Sequence, residues 1–231
     1  MAERVLVSGG SGGLGHAVCR ALAAAGIAPV VAHARGSEAA QRLAEATGGL
    51  ALPLDLADEA SIDAAVAALA ASGTPTAGVV LAAAPRPRLA RFGRIRREDL
   101  EQQWRVQVLG PQRLLAGLLH EVFRSRRRGT VVGVLSAAMG ADGVAGLSSM
   151  GAYVSAKYGL AGLLASLAAD HPWLRVETVR PGFVETPMLE VFDARFLEMQ
   201  RARQPFQKPE EVAREIVDCF LRDRAAAEPG P

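Results

Sequence analysis

The stretch RVLVSGGSGGLG, residues 4–15, decides the fold. Its first five residues form an apolar run of strand length, and four glycines follow before a segment of helical period opens near Leu14. Glycine lets a backbone turn sharply and approach a ligand with no Cβ in the way. The helix that follows offers unpaired N–H groups and the positive end of its dipole, which together favour an anion. A glycine-rich run taken alone reads equally well as a flexible loop. At a first strand-to-helix turn it reads as a phosphate cradle built from Gly9, Gly10, Ser11, Gly12 and Leu14.

Outward from that turn, short apolar runs alternate with alanine-rich segments. Strands are expected at 4–8, 28–34, 51–54, 78–82, 130–135 and 175–180. Helices are expected at 14–25, 37–46, 61–70, 97–127, 151–170 and 209–224. Most of the strands read as continuous Val/Leu runs, the pattern of strands buried on both faces. The alternation predicts an α/β fold, a doubly wound parallel sheet of about six strands with helices on both sides. With no internal repeat and no Pro- or Ser-rich linker, residues 1–231 read as a single domain with a frayed tail at 225–231. Half of the chain is hydrophobic and 22% is charged, enough to build a core. A net charge of +2 argues against a general nucleic-acid or membrane binder. Cys19 and Cys219 lie in apolar surroundings far apart, which indicates a reducing compartment and no disulfide framework. With no leader and no apolar stretch of spanning length, a cytoplasmic protein is expected.

A dinucleotide site carries its ribose-reading residue roughly 20 positions past the glycines. There the chain reads VVAHARGSE, residues 30–38. An acid at the strand end would accept from a 2′-hydroxyl and repel a 2′-phosphate. This chain has Ala34 and then Arg35, preceded by His33, which favours NADP; Arg35 as a plain solvated side chain is the other reading. Further on, GAYVSAKYGL at 151–160 sets Tyr153 and Lys157 four positions apart, on one helix face. The spacing alone fits two ordinary helix residues as well as a phenol tuned by a cation.

With both features in view, the chain resembles the short-chain dehydrogenase/reductase family, in its single-domain form of Rossmann type. SGGSGGLG, 8–15, is similar to that family's TGxxxGxG, with Ser8 for Thr. Leu-Asp-Leu at 54–56 matches the adenine-binding segment, which implies cofactor contacts at Asp55 and Leu56. GTVVGVLSA at 129–137 matches the strand ending in the catalytic serine, here Ser136, and Tyr153 with Lys157 matches YxxxK. RPGFVETPM at 180–188 matches the turn that holds the nicotinamide amide, through Val184 and Thr186. The resemblance implies NADPH/NADP+ as cofactor, Tyr153 as proton donor, Lys157 as the cation lowering its pKa, and Ser136 as the carbonyl's second hydrogen-bond donor. Tyr153 and Lys157 would also touch the cofactor.

The chain departs from the family pattern in several places. The usual NNAG is LAAA at 81–84, which keeps Ala83 close to the cofactor but lacks the asparagine amides. The helix asparagine of the catalytic set is matched by Gln107, whose longer side chain either holds a relay water or misses it. Extra residues in MGADGVAGLSS, 139–149, separate Ser136 from Tyr153 and leave Ser148 and Ser149 as substitutes. The family's final edge strand has no counterpart here.

The segment PRPRLARFGRIRR at 85–97 holds six arginines and no acid, and RSRRR follows at 124–128. These clusters read as solvated faces or as a dock for an acidic acyl carrier protein, since the chain resembles β-ketoacyl-acyl-carrier-protein reductases. Such a substrate, a β-ketoacyl thioester, is the favoured one; a free small ketone or alcohol is the alternative. Residues 185–207 match the variable substrate lid, where Val191, Phe192, Phe196, Leu197 and Met199 could wall the pocket or simply pack. His16, His120 and His171 have no partner at metal spacing, so no metal site is read. A homodimer through the two long helices, or a heteromer with a related chain, is expected. A non-catalytic cofactor-binding subunit is the rival reading.

Overall fold

A computed structural model describes residues 3–34, 38–141 and 146–227, the side chains of 223–227 excepted. Six strands, β1 (Arg4–Ser8), β2 (Ala28–His33), β3 (Leu50–Pro53), β4 (Thr76–Leu81), β5 (Thr130–Val134) and β6 (Arg175–Val179), form one sheet in the order β3-β2-β1-β4-β5-β6. Every pairing is parallel. The helices are α1 (Gly13–Ala24), α2 (Glu38–Ala46), α3 (Glu59–Ala71), α4 (Arg97–Trp104), α5 (Gly110–Leu118), α6 (Gly151–Asp170), α7 (Ala194–Arg203) and α8 (Pro209–Ala227).

Alternate strand side chains serve opposite faces, and both faces are buried. Leu6, Val30, Val79 and Val131 pack with leucines of α5 and α6 on one face. Val5, Val7, Val31, Val80 and Val132 pack with α1, α2 and α8 on the other. The arrangement matches the expected doubly wound sheet. Because β1 is flanked by β2 on one side and β4 on the other, the strand order reverses there. A crevice opens at the carboxyl ends of β1 and β4, the place where such sheets bind ligands.

One hydroxyl holds the floor of that crevice. Ser8, at the end of β1 and 1% exposed, accepts from the backbone N–H of Ala82 at 3.1 Å and of Ala83 at 3.2 Å. These alanines follow the end of β4, and Ser8 braces them from the neighbouring strand. Ser8→Ala leaves both N–H groups without this acceptor. It should cost about 1–3 kcal/mol in urea unfolding and weaken dinucleotide binding, whereas an unchanged midpoint would show that water replaces the hydroxyl.

The long helix expected at 97–127 is interrupted rather than continuous. Between α4 and α5, residues Arg105–Leu109 form a π turn, and Leu119–Phe123 form another. Pro111 has no N–H to give to Gln107, so the i→i−4 ladder fails one turn before it. Gly110 lies against Leu56, where an added Cβ would come within 2.8 Å of the leucine Cβ. No helix of the described residues is long and apolar enough to cross a membrane. Both cysteines are buried and unbridged, and burial pushes the Cys19 thiol up to about 12.

Candidate active site

A cavity of about 780 Å³ occupies the crevice. The glycine turn forms one wall, the end of β5 and the start of α6 the second, and the lid the third. Of the predicted cofactor contacts, Gly9, Gly12, Leu14, Ala83, Tyr153, Lys157, Val184 and Thr186 line it. Gly10, Ser11, Asp55 and Leu56 do not. Arg35 lies outside the described residues. Asp55 is engaged locally: its Oδ1 accepts from Ala57 N at 2.8 Å and its own N–H donates to Ser61 Oγ at 2.9 Å.

The first wall needs glycine for steric reasons. Gly9 has φ +68°, and a Cβ there would come 3.0 Å from the Ala83 Cα. A Cβ on Gly13 would meet the Thr186 side chain at 2.8 Å. Gly15 is equally confined, against the Gly9 carbonyl. Gly13 and Gly15 stand in the quoted motif, but their own role comes from packing that only the folded chain reveals. No side chain caps α1 and no acid sits in its first turn. Its N–H groups are therefore left to a ligand. The cradle fits a phosphate-bearing dinucleotide, which Gly9, Gly12, Leu14 and Thr186 would hold.

On the second wall, Ser136 follows β5 and caps a short 3₁₀ turn, Ala137–Met139, accepting from Ala138 N at 3.1 Å. Its hydroxyl also works against burial to lower the Tyr153 pKa, and the two side chains line the same wall of the cavity. Ser148 lines the cavity as well, but neither it nor Ser149 has this link to the phenol. Residues 142–145 of the same loop lie outside the described residues. Lys157 is 1% exposed; its Nζ donates to the Val134 carbonyl at 2.6 Å and stands 5.4 Å from the Tyr153 ring centre.

Electrostatics here correct the expected tuning of the phenol. Burial raises the Tyr153 pKa above its ordinary value, and the Ser136 hydrogen bond offsets this only in part. Burial pushes Lys157 down to about 7. In the protein alone, the low-dielectric pocket outweighs the Lys–Tyr attraction expected from their spacing. Tyr153 is therefore a neutral phenol at pH 7, which is the form that can donate a proton.

Gln107 is buried behind the cavity and does not line it. Its Nε2 donates to Gln103 Oε1 at 2.5 Å, while its Oε1 has no partner. The π turn sets this orientation, which the sequence spacing could not convey.

The lid closes the third wall. Thr186 leads into the 3₁₀ turn Pro187–Val191, and Asp193 caps α7 by accepting from Phe196 N at 2.8 Å. Of the expected pocket residues, Phe192 lines the cavity. Val191, Phe196, Leu197 and Met199 do not; Phe196 stacks on Phe192 at 5.0 Å, and Met199 is 47% exposed. Phe183 and Phe206, which the sequence reading passed over, stack at 5.0 Å and also line the cavity. The available signal was concentration, because four of the chain's seven phenylalanines fall within 183–206. Gln207 ties the lid's end to the loop before it, accepting from Gly182 N at 2.8 Å and donating from its backbone to Phe183 O at 2.8 Å.

The rim arginines are mostly paired. Arg86 meets Glu190 at 2.9 Å, Arg88 and Arg96 share Asp99 at 3.6 and 2.8 Å, and Arg97 meets Glu101 at 2.6 Å. The sequence cluster lacks acids because its partners lie in α4 and the lid.

Comparisons with known proteins agree with this geometry. The family model described as short chain dehydrogenase matches residues 3–195. A cis-4-hydroxycyclohexanecarboxylate dehydrogenase of Sinomonas cyclohexanicum is 33% identical over 243 positions, covering 98% of this chain and 92% of that one. An acetoacetyl-CoA reductase of Paracoccus denitrificans is 29% identical over 232 positions, covering 96% and 92%. The crystal structure of a 3-ketoacyl-(acyl-carrier-protein) reductase from Brucella melitensis, complexed with NADH, superposes with a TM-score of 0.81 at 22% identity. It covers 93% of this chain and 89% of that one, a likeness of fold.

Proposed function

The chain belongs to the short-chain dehydrogenase family, whose members act on CH–OH/C=O groups, and we propose that it reduces a compact ketone to a secondary alcohol with NADPH, or runs the reverse. The observation that carries this reading is that Ser136, Tyr153 and Lys157 line the same cavity as the glycine cradle. When bound, the dinucleotide supplies a hydride for the carbonyl carbon. The carbonyl π pair then moves to oxygen, and that oxygen takes the Tyr153 proton. Ser136 donates to the same oxygen and holds it in line. Among the described residues Lys157 brings the other ionisable group to this wall, and charging it favours return of the phenolate state when the alcohol is oxidised.

A compact substrate is favoured because one cavity must admit cofactor and substrate together. The ring-alcohol relative, similar over nearly the whole chain, supports a ring-borne hydroxyl. A second reading, a β-ketoacyl thioester, draws support from the acetoacetyl-CoA relative. Docking of an acyl carrier protein belongs to that second reading. Its surface is narrower than the sequence implied: Arg91 and Arg94, flanking the 90% exposed Phe92, carry no ion pair among the described residues. The homodimer is likewise proposed. Trp104, Leu109 and Tyr158 leave large apolar side chains exposed along the α4–α6 side, and Leu109 is 59% exposed.

NADPH oxidation at 340 nm, followed with cyclohexanone derivatives and acetoacetyl thioesters, tests the function. Activity on neither class, with the cofactor bound, would turn the reading toward a non-catalytic subunit. For cofactor choice, Arg35→Ala should raise KM for NADPH about tenfold and leave NADH unchanged. An unmoved ratio overturns the NADP assignment.

A further inference from the structure

We propose that Arg203, flanked by Gln200 and Gln204, recognises an anionic group on the substrate, remote from the carbonyl that reacts. The proposal rests on the reading of this cavity as an alcohol/ketone site and names the substrate class that site prefers.

Among the described residues the cavity wall carries two ionisable cations, Lys157 and Arg203, and no carboxylate. Lys157 is buried at the reacting end and its ammonium is committed to the Val134 carbonyl. Arg203 sits on the opposite wall, in the last turn of α7, with solvent access. Gln200 and Arg203 stand one turn apart on α7, Gln204 follows as its extended C-cap, and all three line the cavity. Each ends in N–H donors, and arginine has donors only.

Its neighbour provides the contrast. Arg201 is used within the fold, meeting Glu185 at 3.5 Å and lying 4.8 Å over the Phe206 ring. Arg203 has no such partner among the described residues. The wall around it is otherwise largely apolar, with Leu189, Phe192 and Phe206. A guanidinium at the edge of a low-dielectric pocket binds a carboxylate or phosphate in a forked, charge-assisted way. A neutral substrate would leave this donor set unused.

That anion could be the carboxylate of a small oxo-acid or a phosphate of a coenzyme A thioester. Steady-state kinetics on two charged/neutral pairs separate these sources: 4-oxocyclohexanecarboxylate against its methyl ester, and acetoacetyl-CoA against acetoacetyl-N-acetylcysteamine. Wild type should prefer the charged member of at least one pair. The pair showing the preference identifies the source. Arg203→Ala should lower kcat/KM on that member by about 10- to 100-fold, mainly through KM, and by less than about twofold on its neutral counterpart. Arg203→Lys should recover part of the loss, and KM for NADPH should stay within about twofold.

Equal losses on charged and neutral members, or a change confined to KM for NADPH, overturn the proposal. If wild type turns over none of the four, the reading of the site as a ketone reductase has failed separately. Binding of 4-oxocyclohexanecarboxylate and acetoacetyl-CoA to the NADPH-loaded protein then decides the anion claim. Weakening of either by about tenfold in Arg203→Ala sustains it, and unchanged affinity for both ends it.

Discussion

Tyr153→Phe should lower ketone turnover by about 10²- to 10⁴-fold while NADPH affinity moves by less than about twofold. The change deletes one oxygen from a residue that packs at the start of α6, so the ring and the helix stay in place. What disappears is the phenol hydroxyl that lines the cavity beside Ser136. The alkoxide formed by hydride addition must then draw its proton from water in a largely apolar cavity. Stopped-flow reduction with the best ketone, beside fluorescence titration of NADPH, measures both quantities. A variant that keeps most of its turnover would remove Tyr153 from the chemistry. A wild type that binds cofactor and reduces nothing across a broad ketone panel would favour the non-catalytic subunit.

Lys157→Met should stabilise the protein at neutral pH and inactivate it. An ordinary lysine titrates near ~10.4; in the fold, burial pushes this one down to about 7. Between those values the unfolded chain holds the proton more tightly than the folded one, so stability climbs as pH rises through that window. Below pH 7 the penalty is fully present. At pH 7 it is on the order of 4 kcal/mol, and losing the bond to the Val134 carbonyl returns about 1 kcal/mol. The expected net gain is about 2–4 kcal/mol at pH 7, shrinking by pH 9.5. Urea unfolding of both proteins at the two pH values checks magnitude and sign. Destabilisation at pH 7 would mean that the ammonium is better solvated than its burial implies. Stability surrendered for a charged group in an apolar pocket is the mark of a functional residue, not a structural one.

Features governed by neighbours in sequence were legible without coordinates. The apolar run at 4–8 and the helix at 151–170 have the predicted bounds, because strand burial and helical period are written in adjacent residues. The other strand boundaries differ by one or two residues, where ladders end on pairing and not on composition. The helix expected at 97–127 is broken where its apolar period continues through Pro111, whose missing N–H interrupts the ladder at the first π turn.

The site divides along the same line. The glycine turn, Ser136, Tyr153 and Lys157 were readable as residue types in order along the chain, and the folded chain gathers them around one cavity. The brace from Ser8 to Ala82 and Ala83 joins residues 74 and 75 positions apart. The ammonium of Lys157 finds its acceptor 23 positions away, in β5. Pairing of the rim arginines and the turn of Arg203 toward the cavity likewise depend on elements distant in sequence.

Sequence by itself thus determined the doubly wound sheet, the place of its ligand crevice and the residues that could carry a hydride-coupled proton transfer. These follow from local periodicity and from side-chain chemistry that any context preserves. Only tertiary structure decided which of those groups are charged, which arginines are occupied and which face the cavity. Dielectric surroundings and hydrogen-bond partners are supplied by parts of the chain that meet only on folding.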